Sequence, residues 1–211
     1  MNKTEFIEEL KKINVELNEE QLKKLDLFYH IMIDWNNKIN LTRIVDEEEV
    51  YLKHFYDSLT LNKVINLSKV NSLCDVGTGA GFPGIVLKIA FPNINITLID
   101  SLQKRVNYLN EVIKELELNN IKAIHVRGED YKGKFDVVTS RAVARIDKLL
   151  DYTMHLVSEN GVFIAMKGNL KEELDEEKLK KIKKKYDIEK QEEFYLPKEN
   201  SIRNLLVIKN K

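Results

Sequence analysis

Residues 73–84 read LCDVGTGAGFPG, a short apolar run that gives way to a turn containing four glycines. From this point the sequence alternates between apolar runs typical of strands and segments with a helical period. Five runs are predicted to be strands: 72–77, 94–100, 121–127, 135–140 and 161–166. This alternation predicts an α/β fold with a mostly parallel, doubly wound sheet and helices on both faces. Residues 186–195 and 202–208 are predicted to add an antiparallel hairpin, which makes seven strands.

The segment before this alternation is predicted to be helical. Over residues 4–60, apolar side chains recur at helical spacing, and Asn18 with Gln21 resembles a capping box at a helix start. The spacing of Phe28 and Trp35 favours core packing over stacking on nucleic-acid bases. We therefore expect two segments in one compact unit, a helical extension over 1–64 and a core over 65–211.

Composition and charge restrict the possible classes of protein. The 211 residues include one cysteine, Cys74, and no Cys/His cluster with the spacing of a zinc site, so neither disulfides nor a metal are expected. The sequence has no signal peptide and no apolar stretch long enough to span a membrane, which predicts a soluble cytoplasmic protein. The 34 basic and 34 acidic residues cancel, so a polyanion would have to be recognised by a local patch. Nothing marks a dimer interface, and a monomer is expected.

The glycine turn predicts a nucleoside cofactor. Glycines at the junction of a strand and a helix let the backbone approach a ligand closely. Asp100 follows about 20 residues later at a strand end, where a carboxylate can accept both hydroxyl hydrogens of a ribose. A nicotinamide dinucleotide and S-adenosylmethionine both fit, but Asp75 suits the cationic amino group of S-adenosylmethionine better than a pyrophosphate. The purely structural alternative is a tight turn with Asp100 capping the next helix.

Several motifs together resemble one family. They are residues 35–42 (WNNKINLT), 54–59 (HFYDSL), 73–84, 98–105 (LIDSLQKR), 140–142 (SRA) and 166–168 (MKG). This set resembles the bacterial RsmG (GidB) family, which methylates N7 of a guanine in the 530 loop of 16S ribosomal RNA. The resemblance covers nearly the whole chain. It implies a Rossmann-like class I methyltransferase fold, bound S-adenosylmethionine, and 16S ribosomal RNA or the 30S subunit as the partner.

The resemblance also implies roles for individual residues. Gly77 and Phe82 should contact the cofactor from the first loop, and Gly128 and Glu129 should lie by its adenine. Arg141 should reach the cofactor from the end of the fourth strand. Gly128 departs from the family pattern, in which a small apolar residue is frequent, so side-chain packing against adenine is less certain than main-chain contact.

The predicted chemistry is consistent with methylation at N7. Methylation of a ring carbon usually needs a cysteine nucleophile, but Cys74 is predicted to lie inside the first strand. Methylation of an exocyclic amine often uses an Asn/Asp-Pro-Pro-Tyr loop, whereas residues 140–143 read SRAV. Guanine N7 is a bare acceptor that needs no general base, so catalysis can rest on proximity and orientation. No catalytic residue is therefore assigned.

Some roles remain open at this stage. Arg141 could bind the cofactor carboxylate, an RNA phosphate or guanine O6, or it could pair with an acid such as Asp147 or Glu129. His54 and Asp57 could line the substrate side of the crevice or serve helix packing. The lysine- and glutamate-rich helix predicted over 170–185 could be basic surface for RNA or an ordinary solvated face. Two rival functions also remain, a methyltransferase with a protein or small-molecule substrate and an inactive cofactor-binding module.

Overall fold

A computed structural model describes residues 1–141, 144–170 and 173–211. Within these ranges the chain forms one seven-stranded sheet in the order β3-β2-β1-β4-β5-β7-β6. The strands are β1 (Ser72–Val76), β2 (Asn95–Asp100), β3 (Ile121–His125), β4 (Phe135–Arg141), β5 (Val157–Lys167), β6 (Tyr186–Tyr195) and β7 (Ile202–Asn210). The prediction of a mostly parallel sheet of seven strands is confirmed.

The C-terminal hairpin inserts its second strand into the sheet. β7 runs antiparallel to β5 on one side and to β6 on the other, so β6 is the edge strand. The sequence explains this order, because Asn204–Ile208 are buried whereas side chains along β6 alternate between half-buried and exposed positions. A strand buried on both faces belongs inside a sheet, and an alternating, charged strand suits the edge.

The helices cover both faces of the sheet and extend before it. Within the described residues they are α1 (Lys3–Lys12), α2 (Glu19–Ile39), α3 (Glu47–Val50), α4 (Asp57–Leu59), α5 (Gly84–Ala90), α6 (Gln103–Glu115), α7 (Ile146–Thr153) and α8 (Glu176–Lys185). The predicted capping box of Asn18 and Gln21 is present at the start of α2. The helix predicted over 170–185 instead begins at Glu176, because Asp175 caps it. Residues 171 and 172 of that prediction lie outside the described ranges.

A wide π-helical turn, Tyr51–Tyr56, connects α3 to α4. Its backbone continues into a 3₁₀ turn at Thr60–Lys63, so the helical stretch predicted after Asp46 changes its winding three times. Every residue of the π-helical turn except Lys53 is buried. Such turns are rare and occur often at functional sites, since they reorient the side chains that follow.

Two hydrophobic clusters lie on opposite faces of the sheet. Neighbouring residues of β1 point to different clusters, Leu73 to the first and Cys74 to the second, as the alternation along a strand requires. The first cluster also joins the N-terminal helices to the core, with the Phe28 ring 5.8 Å from that of Phe55. Trp35 is half-buried, with its ring 5.7 Å from that of Tyr108. The division of the chain near residue 65 stays a prediction.

No helix among the described residues is both long and apolar enough to cross a bilayer.

Candidate active site

The glycine loop between β1 and α5 adopts backbone conformations that other residues rarely tolerate. Gly77, Gly79 and Gly81 have φ angles of 71°, 60° and 93°. In this left-handed region a Cβ atom clashes with the backbone, so glycine is strongly favoured. The amides of Gly77 and Thr78 both donate to the carbonyl of Ile99, at 2.8 and 3.1 Å, which holds the loop against the end of β2.

Asp75 is fully buried beneath this loop. Its Oδ2 accepts hydrogen bonds from Thr78 Oγ1 at 2.7 Å and from the Gly84 amide at 2.8 Å. Its Oδ1 is buried and accepts no hydrogen bond from any described residue. Burial raises the pKa of Asp75 to about 6. An unpaired buried carboxylate oxygen beside the glycine loop fits a cofactor that carries a positively charged group.

Asp100 links the glycine loop to the start of α6. The carboxylate ends β2 and is almost fully buried; its Oδ2 accepts from the Gly79 amide at 3.0 Å, and its Oδ1 accepts from the Leu102 amide at 2.9 Å. Asp100 thus holds the amide of Leu102, the N-cap residue of α6, although no side chain caps the first turn of that helix. Asp100 also lines a cavity, so the structural role does not replace a role in binding.

A first cavity, which we call the β1–β2 cavity, has a volume of about 270 Å³. Four of the predicted site residues lie along it: Gly77, Asp100, Gly128 and Glu129. They come from the carboxyl ends of β1 and β2 and from the turn after β3. The sequence prediction therefore collects these four residues in one place, although their contact with a cofactor stays a prediction.

Tyr152 also lines the β1–β2 cavity and was missed by the sequence analysis. It comes from α7, whose backbone lies against the turn after β3. A Cβ atom added to Gly128 would lie 2.8 Å from Val76 Cγ1 and 3.3 Å from the Tyr152 carbonyl oxygen. Glycine therefore replaces the small apolar residue because α7 and β1 approach too closely for a side chain. The only sequence signal for Tyr152 is its three-residue spacing from Leu149, which lines the same cavity.

A second cavity, which we call the β4–β7 cavity, has a volume of about 290 Å³. It lies over the carboxyl ends of β4 and β5 and the start of β7, opposite the π-helical turn. Its lining includes the charged residues Asp57, Arg141 and Arg203 and the histidine His54. Arg141 is therefore separated from the four predicted residues of the β1–β2 cavity and belongs to this second group.

Asp57 holds two arginines from different strands. Its Oδ2 accepts from Arg141 Nη1 and its Oδ1 accepts from Arg203 Nε, both at 3.0 Å. The Asp57 side chain is only 7% exposed, so the pairs are poorly screened by water. Arg141 thus has an acidic partner, but that partner is neither Asp147 nor Glu129. Those acids lie 3.6 Å from Arg145 and Arg127, their neighbours along the chain.

His54 is a neutral, fully engaged side chain. Arg141 Nη2 and the Lys53 carbonyl oxygen lie 3.0 and 3.1 Å from His54 Nδ1; because the guanidinium can only donate and the carbonyl can only accept, Nδ1 forms one of these hydrogen bonds in a given tautomer. Nε2 lies 3.0 Å from Thr42 Oγ1, so each ring nitrogen has a hydrogen-bond partner. Burial and the Arg141 charge lower the pKa of His54 to about 3. This histidine is held by hydrogen bonds on both sides and is not poised to accept a proton.

Phe82 packs against the wall of the second cavity. Its ring stacks on His54 with centroids 4.3 Å apart, and Arg141 Cζ lies 5.1 Å from the Phe82 centroid. Phe82, which belongs to the glycine loop, therefore packs against both His54 and Arg141. The predicted contact of Phe82 with the cofactor stays a prediction. Ala142 and Val143, which follow Arg141 in the SRAV sequence, lie outside the described residues.

The two cavities lie on either side of the point where strand order reverses. β1 pairs with β2 on one side and with β4 on the other, all in parallel. In open α/β sheets, ligands bind beyond the carboxyl ends of the strands at this switch point. The position allows one ligand over β1 and β2 to meet a second ligand over β4 and β5.

Comparison with solved structures shows the same fold in methyltransferases. The chain resembles the ribosomal protein L11 methylase of Lactobacillus delbrueckii subsp. bulgaricus with a TM-score of 0.53 and 19% identity, covering 79% of this chain and 80% of that one. It resembles TYW2 of M. jannaschii in complex with AdoMet with a TM-score of 0.53 and 22% identity, covering 69% and 73%. At these identities the likeness shows the class I fold alone.

Sequence comparison is far more specific. The chain is 48% identical to the ribosomal RNA small subunit methyltransferase G of Macrococcus caseolyticus over 173 residues, which are 80% of this chain and 73% of the relative. It is 41% identical to the protein of that name from Bacillus subtilis over 216 residues, 99% and 90% of the two chains. The family model described as GidB, rRNA small subunit methyltransferase G, matches residues 21–206. Because this match covers most of the chain, the chain belongs to the rRNA small subunit methyltransferase G family of enzymes.

Proposed function

We propose that this enzyme transfers a methyl group from S-adenosylmethionine to N7 of a guanine in the 530 loop of 16S ribosomal RNA. The observation that carries the proposal is the pair of cavities on either side of the β1/β4 switch point, one lined by the buried acid Asp100 and one by two arginines. The name of the curated relatives supports ribosomal RNA of the small subunit as the substrate. The AdoMet complex of M. jannaschii TYW2, which has the same fold, supports the cofactor.

The β1–β2 cavity would hold the adenosine part of the cofactor. Asp100 would accept hydrogen bonds from the ribose hydroxyls, and Gly128 and Glu129 would border the adenine. Gly77 would let the backbone approach the cofactor, while Asp75 would offset the positive charge of its amino group. The cofactor supplies an electrophilic methyl group on a sulfonium. Phe82 and Arg141 would border it from the side of the second cavity.

The target guanine would enter the β4–β7 cavity. Guanine N7 has a lone pair and no proton, so the chain has only to align N7 with the methyl carbon. The chemistry of the lining agrees with this requirement, because the histidine there is neutral and has a hydrogen-bond partner at each ring nitrogen. A methylation that needed a general base would require a free basic group, and His54 is not one.

Further parts of the proposal follow from the substrate. Ribosomal RNA and its assembly intermediates are in the cytoplasm, where the enzyme would act. We propose that one copy suffices, since both cavities are lined by described residues of a single chain. Methylation at N7 requires no metal ion. Either naked 16S RNA or the 30S subunit is compatible with these features.

The proposal is tested by methyl transfer from labelled S-adenosylmethionine to 30S subunits and to 16S RNA from a strain that lacks the gene. We expect N7-methylguanosine in the 530 loop, identified by mass spectrometry after nuclease digestion. Asp100→Asn should weaken cofactor binding about 10-fold or more, because a charged acceptor for the ribose is lost. If neither RNA gains a methyl group while protein or small-molecule acceptors do, the substrate assignment is wrong. If no acceptor is methylated, the inactive binding module is favoured.

A further inference from the structure

We propose that Asp57 reads the Watson–Crick edge of the target guanine in the β4–β7 cavity. In this arrangement its carboxylate accepts hydrogen bonds from N1–H and the 2-amino group, while an adjacent arginine donates to O6. The inference rests on the proposed function, because it assigns the recognition of the base that is methylated. In this proposal, Asp57 selects guanine in addition to pairing with Arg141 and Arg203.

The carboxylate of Asp57 lines the cavity and retains acceptor capacity. Each oxygen takes one arginine donor at 3.0 Å, from Arg141 and Arg203. A carboxylate has about four lone-pair sites, so each oxygen can accept one more hydrogen bond. Asp57 lines the cavity although its side chain is only 7% exposed, which places this remaining capacity in a sheltered site.

The same cluster offers unused donors next to those acceptors. Arg203 donates through Nε to Asp57 and through Nη1 to the Ile202 carbonyl, whereas Nη2 makes no hydrogen bond with any described residue. Arg141 uses both hydrogens of Nη1, toward Asp57 and the Lys53 carbonyl, and one of Nη2, toward His54. The wall of the cavity thus presents arginine donors beside carboxylate acceptors.

This pattern is complementary to guanine and not to adenine. Along its Watson–Crick edge guanine presents the O6 acceptor, then the N1–H donor, then the 2-amino donor. Adenine presents a donor where guanine has O6, and a bare N1 that would face the carboxylate. Each adenine contact would leave a buried polar group unpaired or opposed, which is the costly situation in a sheltered site.

Recognition of the guanine through its Watson–Crick edge also leaves N7 free to react. Arginine commonly recognises guanine through O6 and N7 together, but a hydrogen bond to N7 would occupy the lone pair that must attack the methyl group. The Watson–Crick edge lies on the far side of O6 from N7. A base held there by Asp57 therefore leaves N7 free to point toward the cofactor.

The rival explanation is that Asp57 only ties the N-terminal segment to β4 and β7. Both roles predict that removing the carboxylate harms the protein, so loss of activity alone cannot decide between them. The deciding measurement compares two substrate bases in the wild-type protein and in a variant. Inosine keeps O6, N1–H and N7 but lacks the 2-amino group, and it removes one proposed contact without touching the reacting atom.

The experiment uses 30S subunits reconstituted with 16S RNA that carries guanine or inosine at the target position. In the wild-type enzyme, inosine should lower kcat/KM about 10-fold or more, the effect of losing a hydrogen bond to a charged acceptor. In Asp57→Asn, methylation of guanine should fall, but the inosine penalty should shrink to about threefold, since a neutral acceptor contributes less. Asp34→Asn, at an exposed position of α2, is the matched control and should keep the wild-type penalty.

The outcomes separate this inference from the proposed function. If the wild-type enzyme methylates inosine as fast as guanine, or Asp57→Asn keeps the full penalty, Asp57 does not read the base, although guanine methylation stands. If guanine-bearing subunits are not methylated at all, both proposals fail. Thermal melting and cofactor affinity show whether Asp57→Asn is folded; if it is not, Asp57→Glu, which keeps the charge but displaces the carboxylate, is compared on the same two bases and should likewise show a smaller inosine penalty than the wild type.

Discussion

Replacing Gly84 with alanine should destabilise the protein strongly although it adds a single methyl group. Gly84 begins α5 directly above Asp75 and the β2 residue Leu98. The new Cβ would lie 2.2 Å from Leu98 Cδ2 and 2.9 Å from Asp75 Oδ2, both shorter than real Cβ contacts. Leu98 is fully buried and cannot swing into open space. The carboxylate cannot retreat freely either, because it accepts the Gly84 amide hydrogen at 2.8 Å.

Overpacking of this kind typically costs about 1–3 kcal/mol. For a chain of this length each kcal/mol lowers the melting temperature by about 2–4 °C, so Gly84→Ala should melt about 2–12 °C below the wild type. The assay is thermal unfolding followed by circular dichroism. Gly168→Ala is the matched control, because a Cβ there meets no atom within 4 Å, and it should melt with the wild type. Equal melting temperatures for the two variants would refute the packing argument.

Three further predictions concern buried titratable groups. Burial raises the pKa of Asp75 from 3.8 to about 6, so the folded protein keeps a proton that the unfolded chain releases. The free energy of unfolding, measured by urea titration, should therefore fall as pH rises from about 4 to 6. Asp75→Asn should remove that fall, and identical pH profiles for the variant and the wild type would contradict the prediction. The pKa of His54 is lowered from 6.5 to about 3, so the unfolded chain takes up a proton that the folded protein does not, and the free energy of unfolding should fall as pH drops below about 6.5. This fall, followed by urea titration, should be smaller in His54→Gln, whereas the control His30→Gln, at an exposed position, should keep the wild-type fall. Lys88, buried on α5, donates to two backbone carbonyls at 2.6 Å, so Lys88→Met should cost about 1–3 kcal/mol of unfolding free energy, whereas exposed Lys114→Met should cost almost nothing.

The parts of the site that the sequence predicted are those fixed by short-range geometry. Positive φ angles at Gly77, Gly79 and Gly81 follow from a turn that only glycine makes easily, so the loop is visible in the sequence. Asp100 ends the next strand, and parallel pairing places its carboxylate beside that loop. Of the four predicted residues that line the β1–β2 cavity, Asp100 follows from its place at a strand end, whereas the roles of Gly77, Gly128 and Glu129 came from the family resemblance.

The residues that the sequence analysis left open depend on distant partners. Asp57 lies 84 residues from Arg141 and 146 from Arg203, and no local pattern encodes those pairs. The helical spacing of His54 and Asp57 predicted a shared face but could not show which strands would meet it. The π-helical turn was also missed, since the sequence carries no periodicity that separates it from an α-helix. Tyr152 was overlooked because its role depends on how closely α7 approaches Gly128.

The long separation between Asp57 and Arg203 along the chain has a consequence for the order in which the two cavities form during translation. Residues 76–152 contain every described group that lines the β1–β2 cavity, whereas the β4–β7 cavity is incomplete until residues 203–205 are present. A chain emerges from the ribosome with its N-terminus first. The pocket over β1 and β2 can therefore assemble while the last strand is still being translated, but the second arginine reaches Asp57 only when synthesis is nearly finished. In this order, a nascent chain completes the cavity proposed for the cofactor before the cavity proposed to select the base.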